Sequence, residues 1–158
     1  MSNIKVHFSS ASNEWDTPQW LFDHLDKKYK FELDPATSGS NAKCDKYYTE
    51  EDDGLAQDWH PHSVFCNPPY GRVLGNWCKK AYEESLLSTK PIVLLIPART
   101  DTVYWHKYIF NKADSIYFIK GRIKFGDSKN SAPFPSAIVV YNDTKKYIGS
   151  LDLDKFRK

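Results

Sequence analysis

The sequence predicts a single α/β domain built on a mostly parallel central sheet. Helix-like and strand-like segments alternate along the chain, as they do where crossover helices join parallel strands. Ile92-Val93-Leu94-Leu95-Ile96 is apolar at every position between two prolines, the pattern of a strand buried on both faces. A chain of 158 residues also has room for one core and not two, so residues 1–158 are expected to form one domain.

Residues 1–16 are polar and aperiodic and are expected to form a loop or arm, with 1–12 flexible. Asp16-Thr17-Pro18 predicts a helix start, with Thr17 as the cap and Pro18 in the first helical position. Trp20, Leu21, Phe22 and Leu25 supply the apolar face of that helix, to about Lys28. Tyr29 to Leu33 alternates as a strand does, and Asp34-Pro35 ends it. From Ala36 to His62 the chain is polar, and a connection this long points to function.

A second strand, Ser63 to Cys66, stops at Asn67-Pro68-Pro69-Tyr70. Two prolines fix φ and remove two backbone donors, so sheet pairing ends there and the turn is stiff. After Gly71, Leu74, Trp77, Ala81, Leu86 and Leu87 mark an amphipathic helix, and the apolar strand at 91–97 follows. Asp101 to Asn111 reads as a further helix capped by Asp101 or Thr102. Ser115 to Ile119 and Ser136 to Tyr141 read as strands, joined by the basic, aromatic and proline-bearing run GRIKFGDSKNSAPFP. Residues 143–158 are expected to be a weakly structured tail or a short terminal element.

A net charge of +2 is too small to argue for nucleic acid, so any positive patch has to be local. Three cysteines, Cys44, Cys66 and Cys78, form no CxxC pair, which points to a reduced, cytoplasmic chain without a disulfide framework or zinc site. No metal role is assigned to His60 or His62. No apolar run is long enough to span a membrane, so no membrane partner is expected.

In parallel sheets, ligands bind beyond the C-terminal ends of the strands. Asp34-Pro35, Asn67-Pro68 and Pro97-Ala98-Arg99 each follow a strand and should share one edge. The chemistry this edge suits is an exocyclic amine on an aromatic base, a poor nucleophile until acceptors hold its hydrogens. The Asn67 side-chain oxygen and the Pro68 carbonyl can be those acceptors, and Tyr70 can stack on the base. The bland alternative is a strand-terminating loop.

Asn67-Pro68-Pro69-Tyr70 followed by glycine resembles motif IV of the S-adenosylmethionine-dependent amino-methyltransferases. EWDTPQWLF, FELDPA, DDGL, NPPYG, LLIPARTDT, GRIKF and PFPSAIVV, in that order, resemble the small phage-type, Dam-like DNA adenine-N6 methyltransferases over roughly residues 13–141. The resemblance implies a reduced Rossmann-like S-adenosylmethionine-dependent methyltransferase fold. It implies catalysis by Asn67, Pro68, Pro69 and Tyr70. It implies cofactor contacts from Thr17, Pro18, Asp34, Pro35, Ala36, Asp53, Gly54, Leu55 and Asn67. Phe125 stands about where an aromatic residue packs on the target base. The pattern departs from the family in lacking a glycine-rich motif I, which leaves the ribose contact open among Asn41, Asp45 and Asp52.

The expected function is therefore methyl transfer from S-adenosylmethionine to adenine N6 in DNA, on a base flipped between Tyr70 and Phe125. Arg99, Lys120, Arg122 and Lys124 are expected to contact the strand. The setting would be the cytoplasm, a bacterial host's if the chain is phage-encoded. The alternatives are an RNA adenine or a protein glutamine as acceptor, or a catalytically idle DNA-binding module.

Overall fold

The computed structural model describes residues 15–126 and 130–157, and the expected flexible arm at 1–12 lies outside them. Helix α1, Gln19–Tyr29, buries Leu21, Phe22, Leu25 and Tyr29. Pro18, not Thr17, is its N-cap, with no side-chain cap. The Pro18 carbonyl accepts the N–H groups of Leu21 and Phe22. The helix runs through Tyr29 and ends on Lys30, which takes a left-handed conformation with φ 52°. The strand expected over 29–33 therefore shrinks to β1, Leu33–Asp34. Its alternation belonged partly to a helix end.

The long polar stretch contains a short strand, β2, Lys46–Tyr47, exposed on both faces and parallel to β1. Strand β3, Val64–Cys66, is wholly buried and leads into the Asn67 turn. Helix α2, Leu74–Ser85, follows, and then β4, Ile92–Pro97, buried at all positions. Fully burying each large aliphatic of β4 contributes about 1.5–3 kcal/mol. The helix expected over 101–111 is instead a π-helical turn at Trp105–Ile109, seated by Trp105 and Ile109. Strands β5, Ser115–Ile119, and β6, Ser136–Tyr141, lie as expected. The tail supplies a further strand, β7, Tyr147–Leu151, and a 3₁₀ turn at Asp154–Phe156.

The seven strands form one sheet in the order β2-β1-β3-β4-β6-β5-β7. Every neighbouring pair is parallel except those of β6, which runs against both β4 and β5. The mostly parallel α/β domain expected from the sequence is thus observed. From β1 the chain pairs β2 on one side and β3 on the other. That reversal of strand order leaves a crevice outside the carboxyl ends of β1 and β3, the usual ligand position in open α/β sheets. Asp34-Pro35 and Asn67-Pro68 border it.

Candidate active site

The crevice has a compact wall. Asp34 is buried, and its carboxylate accepts the backbone N–H of Ala36 at 3.3 Å and of Lys43 at 3.0 Å. Burial pushes this carboxyl up, while those two N–H groups pull it down. Asp34 therefore organises the turn after β1 from within. Gly54 is packed beneath that turn, since a Cβ on it would lie 2.1 Å from the Pro35 carbonyl oxygen. Only a residue without a side chain permits that approach. The Pro35-Ala36 and Asp53-Gly54-Leu55 segments, 18 residues apart, are thereby brought together.

Behind Gly54 stands a fixed floor. The Trp59 indole donates to the Gly54 carbonyl at 2.9 Å and stacks on Trp77 of α2 at 6.2 Å. Glu84 of α2 accepts the N–H groups of Trp59 and His60, contacts the His60 ring at 2.8 Å, and pairs with Lys80 at 2.9 Å. Burial raises the Glu84 carboxyl, but the hydrogen bonds from His60, Lys80 and the two backbone donors outweigh it and bring it to about 2. Asp58, His60 and Glu84 could place ligand atoms within 4.8 Å of one another. Glu84 is already engaged with structural donors there.

On the other lip, the Asn67 amide is oriented by its surroundings. Its Nδ2 donates to the Trp15 carbonyl and, at 2.9 Å, to Thr17 Oγ1. A carbonyl can only accept, so the end facing Trp15 has to be the NH₂. Oδ1 is buried and has no hydrogen-bond partner among the described residues. Leaving such an acceptor unmet costs about 1–3 kcal/mol, so it calls for a donor. Pro68 and Tyr70 are buried, and the Tyr70 hydroxyl donates to the Leu95 carbonyl at 3.1 Å. Gly71, at φ +101°, lets the chain leave the turn toward α2.

Tyr70, Phe125, Phe134 and Trp15 form one aromatic cluster. Tyr70 meets Phe125 edge-on at 6.4 Å and 86°, and Phe134 at 5.6 Å and 72°. Trp15 stands edge-on to Phe125 at 5.8 Å and to Phe134 at 5.3 Å. A planar base between two rings needs about 3.5 Å on each side and both rings parallel. In this arrangement Tyr70 and Phe125 leave no such slot. A cleft of about 290 Å³ opens instead beside Tyr70, lined among others by Trp15, Phe134, Arg99 and Tyr104. That volume is at the small end for ligand pockets.

The remaining expected residues are distributed unevenly. Thr17 is buried at the Asn67 amide and Pro18 caps α1. Asp53 is exposed, with φ 58°, and Leu55 is half-buried. Arg99 is exposed, its guanidinium 5.6 Å from the Phe134 ring. Arg122 and Lys124 are exposed, and Arg122 donates to the Ala132 carbonyl at 3.3 Å. Lys120 pairs with Asp154 at 3.0 Å and Asp152 at 3.4 Å. Of the ribose candidates, Asp45 is exposed, Asn41 bonds Thr37, Ser38 and Asp16, and Asp52 bonds Thr49. Phe134, Tyr104 and the Trp59–Glu84 floor are additions to the site. The prolines flanking Phe134 were the one sequence signal for it.

Among the described residues no helix is long and apolar enough to cross a membrane. The profile of the DNA N-6-adenine-methyltransferase (Dam) family matches residues 5–154. A DNA N-6-adenine-methyltransferase of Haemophilus phage HP1 is 28% identical over 157 residues, covering 95% of this chain and 88% of its own length. One of Escherichia phage T1 is 33% identical over 105 residues, covering 65% of this chain and 43% of its own length.

Proposed function

The chain belongs to the DNA N-6-adenine-methyltransferase (Dam) family, and on that premise we propose that the Asn67–Tyr70 turn is its methyl-transfer centre, with S-adenosylmethionine as donor. The observation that carries the proposal is the buried Asn67 Oδ1, oriented by two neighbouring acceptors and lacking a donor of its own. An adenine amine brings two N–H groups, and its lone pair is delocalised into the ring. Asn67 Oδ1 accepts one hydrogen and the Pro68 carbonyl the other, which favours a pyramidal nitrogen with an available lone pair.

Neither acceptor is a base of any strength, so they position the amine, and the surplus proton leaves to solvent after transfer. Pro69 keeps the turn rigid while Tyr70 presents its face to the base. The base enters the cleft beside Tyr70 and Phe134 after leaving its stack, and Phe125 packs edge-on against Tyr70. Attack by a cysteine thiolate is disfavoured, because burial pushes the Cys66 and Cys78 thiols well up and Cys44 to about 12.

S-adenosylmethionine, held in the crevice by Pro18, Asp34-Pro35-Ala36, Asp53-Gly54-Leu55 and the flank of Asn67, would supply an electrophilic methyl group. The residues fit that role, because the crevice lies at the strand-order reversal and Gly54 closes one wall against Pro35. The exposed Asp53 carboxylate suits an amine hydrogen of the cofactor's adenine. One reversed strand, β6, beside β4 is compatible with a Rossmann-like methyltransferase sheet reduced in size. Arg99, Arg122 and Lys124 form the rim toward DNA phosphates. The working place is the cytoplasm, a bacterial host's if the chain is phage-encoded.

The test supplies labelled S-adenosylmethionine with adenine-methylation-free duplex DNA, RNA and a protein lysate as competing acceptors. Label is expected in DNA as N6-methyladenine, reduced about 10²–10³-fold or more in Asn67→Ala with the cofactor still bound. Undiminished labelling by Asn67→Ala would remove the turn from the chemistry. Failure to bind S-adenosylmethionine would remove the donor.

A further inference from the structure

We infer that Thr17 is a positioning residue which, with the Trp15 carbonyl, fixes the end of the Asn67 amide that faces the substrate. The inference rests on the reading of Asn67 as the acceptor for the adenine amine. The two ends of a side-chain amide have nearly the same shape, and a half-turn about the last bond exchanges an acceptor for two donors. In the exchanged orientation Nδ2 would meet the substrate's own N–H groups and nothing would hold the amine.

The segment Trp15-Asp16-Thr17 prevents the exchange. Rotating the amide would set Oδ1 against the Trp15 carbonyl, two acceptors with no hydrogen between them. It would also break the 2.9 Å bond from Nδ2 to Thr17 Oγ1. Thr17 has no competing use as a cap, because Pro18 takes the cap position without side-chain help. At 7% exposure Thr17 is also a buried residue.

The segment itself is tied down on three sides. The Asp16 carbonyl accepts Gly126 N–H at 2.8 Å, and its carboxylate accepts Asn41 Nδ2 at 2.6 Å. The Trp15 ring packs edge-on against both Phe125 and Phe134. Ties to the 120–135 connection and to the loop holding Asn41 make the segment stiff enough to hold one amide in one orientation. This differs from the expected role of Thr17 as a contact to the cofactor, because its Oγ1 accepts from the Asn67 amide.

Thr17→Val removes the hydroxyl while keeping the shape. Its kcat, per folded molecule, is expected to fall about tenfold, with DNA KM and S-adenosylmethionine affinity within about twofold of wild type. Thr17→Ser, which keeps the acceptor, should restore kcat. Asn67→Asp, which turns a carboxylate oxygen toward the Trp15 carbonyl, should also lose about tenfold or more in kcat while binding the cofactor normally. Should Thr17→Val fail to fold, Asn67→Asp decides the matter. Weaker cofactor binding with unchanged kcat in Thr17→Val would assign the hydroxyl to the cofactor and overturn the inference. So would a valine variant that is less stable but turns over normally, or wild-type kcat in Asn67→Asp. Wild-type turnover by Asn67→Ala would instead overturn the underlying reading of Asn67.

Discussion

The turn after β3 and the loop after β5 leave the same edge of the sheet, and they are built on opposite plans. Around Asn67 nearly every polar group is already matched: the amide NH₂ to Trp15 and Thr17, the Tyr70 hydroxyl to Leu95, the Trp59 indole to Gly54. One acceptor, Asn67 Oδ1, is left over. On the loop, Lys120, Arg122 and Lys124 are exposed, and their charges face water or surface partners. A group that has to meet a reacting atom is held in advance by its surroundings, at a cost in unmet hydrogen bonding. A group that has to meet a phosphate on a long, variable strand keeps its freedom.

The contrast can be broken most severely on the rigid side. In Gly54→Ala the new Cβ would meet the Pro35 oxygen at 2.1 Å, so one of the two packed turns has to move. A loss of about 1–3 kcal/mol in urea unfolding is expected, together with at least about tenfold weaker S-adenosylmethionine binding. Unchanged cofactor affinity would show that the packed turns do not form the cofactor wall.

On the loop side, Arg122→Glu with Lys124→Glu should weaken DNA binding and make its salt dependence shallower by about one unit of slope per lost phosphate contact. The kcat at saturating DNA should be kept. An unaltered salt slope would take DNA off this loop.

Glu84 sharpens the contrast through pH. Its folded pKa, about 2, lies below the ordinary value of 4.5. Its contribution to stability is thus complete above pH 4.5 and is lost as pH falls toward 2. The stability difference between wild type and Glu84→Gln should therefore shrink in urea titrations as pH falls from about 5 toward about 2. A constant difference would mean that the carboxylate charge is not what holds Trp59 and His60.

The smallest effect belongs to Lys120→Gln. Its ammonium is already shared between Asp152 and Asp154, so DNA affinity should change by less than about twofold. A change as large as that of the double reversal would return Lys120 to the group that contacts the strand.

Where burial dictates residue type, the sequence was enough. Strands β4, β5 and β6 lie within a residue of their expected bounds, because a buried strand has to be apolar and has to stop at proline or a polar residue. Strand β2 was missed since both of its residues are exposed, and β7 since it is a sheet edge with little apolar alternation. Thr17 was misread as a cap because the Thr-Pro pair fits that pattern locally. Its actual bond is to Asn67, 50 residues away, and no local pattern encodes that. The Asn67 turn was legible from proline stiffness, whereas the aromatic cluster that crowds Tyr70 depends on Phe134, just before β6, arriving from far along the chain.

The reversal of β6 also bears on how such proteins diversify. Ser136, where β6 begins, lies opposite Pro97, where β4 ends, and Phe118 near the end of β5 lies opposite Ala137. The connection from 120 to 135 is thus a hairpin with both feet planted on the working edge, and no crossover depends on its length. Residues can be inserted or exchanged between those feet without shifting the register of the sheet. A graft that keeps Phe125, Gly126 and Phe134, which hold Trp15 and Asp16, would change which DNA the enzyme grips and leave the transfer chemistry of the neighbouring strand ends in place.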